Sequence, residues 1–192
     1  MAHTLHPQAE DATAAAAAYE AMVHTPNDPE VIASYAAFKA ETLAQWAAIV
    51  ASGLTVEFHD GGHNYPNSPA MFADMANGHL WTYLTDATDA QVPGGHPVLE
   101  MITPDLMLND IFRAVHDVNG HGVSGGSFSL SGEFKAWTAH RSMYSQAALV
   151  ALWCETRGQS AWTNRHADHA ALPLKERPFA TQKAGKVPAK LV

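Results

Sequence analysis

A chain of 192 residues, 47 % hydrophobic and with a formal charge of −8, has the length of one domain with a substantial core, and its acid excess argues against a broad surface for duplex nucleic acid. The single cysteine, Cys154, excludes an internal disulfide and any multi-cysteine zinc or iron–sulfur centre, and fits a reducing compartment. No apolar run approaches the ~20 residues of a membrane span and the N-terminus lacks a secretory pattern, so a cytoplasmic protein with no membrane partner is expected.

Residues 8 to 24 are rich in alanine, the strongest helix former, and end before the turn Thr25-Pro26-Asn27-Asp28-Pro29. A second helix opens with Asp28 as cap and Pro29 in its first turn, and carries Val31, Tyr35, Phe38, Leu43, Trp46 and Val50 as a core stripe up to Gly53. Residues 54 to 58 alternate as a short strand. The loop after it holds His59 and His63, whose glycine and proline neighbours argue against a helical metal pair. Ser68-Pro69 caps a short helix closed by Gly78, and residues 79 to 85 read as a second strand with Trp81 and Tyr83 on its core face. His96 lies in a loop and reads as a surface residue.

Thr103-Pro104-Asp105 has the cap, proline and acid expected at the start of a central helix running to His116-Asp117-Val118-Asn119-Gly120-His121. On a continuous α-helix His116 and His121 would point roughly 140° apart. Gly120 offers a left-handed turn that would bring the second ring back beside the first. A further helix from residue 131 aligns Glu133, Trp137 and His140 on one face, and another from Ser145 is apolar nearly all round before Glu155, which needs a compensating partner such as a metal ion or Arg157. The architecture expected is mainly α with a few short strands in one compact unit, residues 1–170, made of a helical hairpin (8–53) and a metal-site core (54–170). Residues 171–192 form a basic extended tail, with Lys175, Arg177, Lys183, Lys186 and Lys190 against Glu176 alone.

His116, His121 and Glu155 together would make a two-histidine, one-carboxylate face, which leaves positions open on Fe(II) for oxygen and a co-substrate. The same donors suit Zn(II) as a water-activating ion. On spacing alone Glu133, His140 and Asp117 each compete with Glu155 for the third position.

At these residues the chain resembles the pterin-dependent aromatic amino acid hydroxylases, whose iron signature is His-Glu-Leu-Leu-Gly-His between a Thr-Pro-acidic segment and a downstream glutamate on a buried helix. Here Thr103-Pro104-Asp105 precedes His116-Asp117-Val118-Asn119-Gly120-His121, with Ser127-Phe128, Gly132-Glu133 and Leu152-Trp153-Cys154-Glu155 following in the same order. Asp117 stands where the family has glutamate, and the chain is shorter than the family's catalytic domain. The resemblance implies a shortened version of that catalytic core, Fe(II) held by His116, His121 and Glu155, dioxygen and a tetrahydropterin as co-substrates, and hydroxylation of an aromatic ring. The segment 109 to 121 also resembles small bacteriophage proteins, which would make a nucleobase, in a nucleotide or in DNA, a candidate substrate.

On this reading Asp117 and Glu133 orient the ligands or act as general base, and Trp81, Tyr83, Arg113, Trp137, His140 and Arg157 are the candidate substrate-binding residues. Two other readings compete: a zinc-dependent hydrolase with the same ligands, and a non-catalytic helical structural protein.

Overall fold

The computed structural model describes residues 7–61, 65–86, 92–169, 172–173 and 176–192, with backbone alone for 7–10. It is mainly helical with one small sheet, as expected. Helix α1 (Pro7–Ala21) and helix α2 (Pro29–Ala51) form the N-terminal hairpin. The Asp28 carboxylate accepts the Glu30 N–H at 2.9 Å, and Pro29 and Glu30 suit the first turn, where no intrahelical acceptor exists and the dipole favours an acid. Val31, Tyr35 and Phe38 face the core as expected. Further along, the stripe passes through Thr42 and Ile49, and Val50 is exposed.

Strands β1 (Thr55–His59) and β2 (His79–Tyr83) pair in parallel, Thr55 opposite His79 and His59 opposite Tyr83, with helix α3 (Ser68–Ala76) as the crossover. Parallel neighbours require such a connection. The α3 cap is Asn67, one residue ahead of the expected Ser68; its side chain accepts from Ala70 N–H at 3.0 Å. On β2 the buried residues are Leu80 and Thr82. Trp81 and Tyr83 lie on the half-buried face, against His59, which corrects the expected face of this strand.

Helix α4 (Leu108–His116) begins later than Thr103-Pro104-Asp105 suggests. Thr103 Oγ1 accepts from Asp105 and Leu106 N–H, closing a separate turn, and the α4 cap is made by Asp110, whose carboxylate accepts from Met107 N–H at 2.7 Å and from Thr85 N–H and O–H at 2.6 Å. Asp110 therefore ties α4 to the chain leaving β2.

Helix α5 (Leu130–Arg141) follows, then α6 (Leu149–Trp153), a π-helical turn Cys154–Gly158, and α7 (Gln159–Arg165) as one continuous rod. That rod starts four residues beyond the expected Ser145, because 145–148 form turns. Its core side joins Phe38, Phe112, Leu152 and Trp153 in the main apolar cluster between α2, α4 and α6.

The basic tail is extended but not free in solvent. Tyr19 O–H donates to Thr181 C=O, Thr25 N–H donates to Ala184 C=O, and Lys183 Nζ donates to the α1 carbonyls of Tyr19 and Glu20. Lys186 pairs with Asp28 and Glu30 at 3.2 and 3.0 Å. No helix among the described residues is long and apolar enough to cross a membrane.

Candidate metal centre

His116 is the last residue of α4, and from there the helix continues as a π-helical turn, Asp117–Gly122. A π-helix closes its hydrogen bonds over five residues instead of four, so residues five apart come nearly one above the other. This places His121 beside His116, with ring centroids 5.1 Å apart. The expected left-handed turn at Gly120 is not formed, since Gly120 is not among the glycines with positive φ. Gly120 serves by close approach: a Cβ there would stand 2.9 Å from the His116 ring.

The third donor comes from α5. Ser129 caps that helix, its hydroxyl accepting from Gly132 N–H at 3.2 Å, so Glu133 emerges in the first turn. Its two carboxylate oxygens lie 3.4 Å from His121 Nε2 and 4.0 Å from His116 Nε2. One donor atom from each of His116, His121 and Glu133 lies within 4.8 Å of the others, the geometry expected around a single ion. The loop 125–129 and the start of α5 approach closely because Gly132 carries no side chain; a Cβ there would overlap the Ser127 backbone.

The rings are oriented by their other nitrogens. His121 Nδ1 lies 2.8 Å from Gly126 C=O, which can only accept, so Nδ1 carries a proton and Nε2 is the nitrogen turned toward Glu133. His116 Nδ1 lies 3.0 Å from His140 Nδ1, leaving Nε2 of His116 turned toward Glu133. With no cation present, burial opposes charging either partner, but the His116 and His121 contacts outweigh it and bring Glu133 down to about 2, while the Glu133 contact raises His121 to about 9. Asp117 is half-buried in the same turn, and desolvation lifts its carboxyl to about 6 against the pull of His121 and His116.

Glu155 is not a member of this group. Its π-helical turn aims it at a separate buried cluster, where Tyr35 O–H donates to Oε1 at 2.5 Å, Gln159 Nε2 donates to Oε2 at 3.2 Å, and His96 Nε2 lies 3.5 Å away. Burial pushes its carboxyl up to about 7 despite the Tyr35 and Gln159 bonds. His96, expected at the surface, is buried there and stacked on His24, and burial, then His24, depress its imidazole to about 4. Arg157, the other expected partner of Glu155, points away, pairs with Asp11 at 2.6 Å and lies over the Phe134 ring.

The expected substrate contacts scatter. Arg113 donates to Leu84 C=O at 3.2 Å and its charge acts on both Asp117 and Glu155. Trp137 is buried under the Arg141 guanidinium, and Trp81 packs with His59 and His79. His140 is fully buried with both ring nitrogens engaged, which takes it out of reach of a substrate. His63 lies outside the described residues. A ring that sequence reading gave no role does sit at the centre: Phe128, partly exposed, packs edge-on against His121 at 5.4 Å.

Comparison of the chain with protein-family models, curated proteins and solved structures gave no match.

Proposed function

We propose that the chain is a mononuclear non-haem metal enzyme, an Fe(II)-dependent monooxygenase acting on an aromatic ring, with His116, His121 and Glu133 as the ligands. The observation carrying this reading is the convergence of one donor atom from each of two histidines and one carboxylate within 4.8 Å, the His121 Nδ1–H being taken by a backbone carbonyl. Bound there, Fe(II) would supply oxygen activation at the positions these three donors leave open. The protein's own part is to hold the ligand rings, keep the half-buried Asp117 beside them, and offer Phe128 as a flat apolar wall against which an aromatic substrate can stack. A reduced pterin as reductant, and an aromatic amino acid or pyrimidine base as substrate, follow from the resemblance in the histidine motif.

A zinc-dependent hydrolase is the second reading, favoured by one observation: the half-buried Asp117 carboxyl, raised to about 6, feels both histidines and could serve as a general base there. The test is oxygen consumption by protein loaded with Fe(II) under anaerobic conditions, then given tetrahydropterin and a panel of aromatic amino acids and pyrimidine nucleotides. Substrate-dependent uptake with a product heavier by one oxygen atom is expected. Absence of uptake across the panel, together with ester or phosphoester hydrolysis by the zinc form, would replace the oxygenase with the hydrolase.

A further inference from the structure

The N-terminal hairpin carries no chemistry in the sequence reading, yet one of its side chains reaches the metal centre's supporting shell. Gln45 on α2 donates from Nε2 to Met143 C=O at 3.4 Å. A carbonyl can only accept, so this contact settles which end of the amide faces inward. Gln45 Oε1 then lies 2.7 Å from Asn119 Nδ2 in the π-helical turn and 3.0 Å from His140 Nε2 on α5. Both of these must donate to it. His140 is fully buried, which favours its neutral form, and a neutral ring whose Nε2–H donates to Gln45 presents a bare Nδ1. Among the described residues that Nδ1 meets His116 Nδ1 at 3.0 Å, and a hydrogen bond between them requires the proton on His116. His116 Nε2 is the nitrogen turned toward Glu133, at 4.0 Å.

We propose that Gln45 is a positioning residue of the metal centre: through His140 it dictates the tautomer of His116, and through Asn119 it holds the π-helical turn that carries His121. The inference rests on the reading of His116, His121 and Glu133 as metal ligands, but the relay itself is a property of the metal-free protein. Its logic is directional. If Gln45 cannot accept, His140 has no reason to keep its proton on Nε2. With that proton on Nδ1, the contact to His116 survives only if His116 becomes the acceptor, which moves the His116 proton to Nε2 and blocks the position a metal needs.

The experiment compares wild type, Gln45→Leu and Gln45→Glu. Histidine tautomers are read in the metal-free proteins by long-range proton–nitrogen NMR with labelled histidine, and Co(II) affinity and visible spectrum are read by titration. Wild type should carry protons on His140 Nε2 and His116 Nδ1. Gln45→Leu should move both protons to the opposite nitrogens, weaken Co(II) binding about 10- to 100-fold and change its spectrum. Gln45→Glu keeps an acceptor at the same place and should restore the wild-type tautomers and an affinity close to wild type. Wild-type tautomers and affinity in Gln45→Leu would overturn the proposal. Because the tautomers are read without metal, failure of wild type to bind Co(II) would overturn the metal reading alone, and the NMR result would still decide the relay.

Discussion

Two carboxylates on this chain compete for one role, and their surroundings separate them. Glu133 faces two imidazole Nε2 atoms and is held down to about 2 against burial; Glu155 faces a phenol and an amide and is lifted to about 7 by burial. Spacing along the chain could not distinguish them, since both lie downstream of the histidines and the choice depends on how α5 and the 149–165 rod pack. Gly120 pointed to a local departure from the α-helix that would bring His116 and His121 together, and a π-helical turn does so in place of the expected left-handed one.

Glu155 makes a prediction of its own. Its folded-state carboxyl lies above the ordinary value of 4.5, so the native state holds the proton more tightly than the unfolded chain. The stability this group contributes is complete below about pH 4.5 and is lost as pH rises through about 7, on the order of 3 kcal/mol in all. Urea denaturation of metal-free wild type and Glu155→Gln between pH 4.5 and 8 should show that the variant lacks this decline and is the more stable of the two at pH 8. Parallel curves would contradict the assignment. Gly120→Ala acts on the other centre: the added methyl meets the His116 ring at 2.9 Å, so Co(II) affinity should fall at least tenfold, with a stability loss of about 1–3 kcal/mol by denaturation.

At the scale of elements, the active feature is a helix that changes its hydrogen-bond spacing at the point of use. A left-handed break at Gly120 and a π-helical turn are alternative ways to bring residues five apart together, and a glycine in the motif is compatible with both. Local sequence does not choose between them, because the π-helical turn is stabilised by contacts from elsewhere, including Asn119 to Gln45 and the His121 contact to Gly126 C=O. The start of α4 was misplaced for a related reason. Thr103-Pro104-Asp105 is good capping chemistry, but the better cap is Asp110, which also binds Thr85 across a tertiary contact. The junction between the 125–129 loop and α5 depends on Gly132, whose added Cβ would overlap the Ser127 backbone. Gly132→Ala should cost about 3 kcal/mol or more in thermal or urea unfolding and weaken metal binding with it, as the Gly126 carbonyl moves away from His121. A variant with unchanged stability would mean that this loop does not brace the centre.

For the whole molecule, the mainly helical fold with a small sheet was readable from periodicity and punctuation: Asp28-Pro29 opens α2 and Gly53 follows its end, each for a backbone reason. The tail was not readable in the same way. Its lysines look solvated in sequence, but Lys183 and Lys186 are engaged by α1 carbonyls and by the acids at the α2 cap, so the C-terminus straps the hairpin. Removing residues 176–192 should lower the melting temperature by about 5 °C or more, equivalent to roughly 2 kcal/mol, while leaving metal affinity near wild type. An unchanged melting temperature would show the strap to be dispensable.

The ligand set is decided by the metal content of wild type, His121→Ala, Glu133→Ala and Glu155→Ala, each purified anaerobically and offered equal Fe(II) and Zn(II). Wild type and Glu155→Ala should each hold close to one metal ion per chain, and His121→Ala and Glu133→Ala should lose it. Retention in Glu133→Ala with loss in Glu155→Ala would contradict the proposed ligand set.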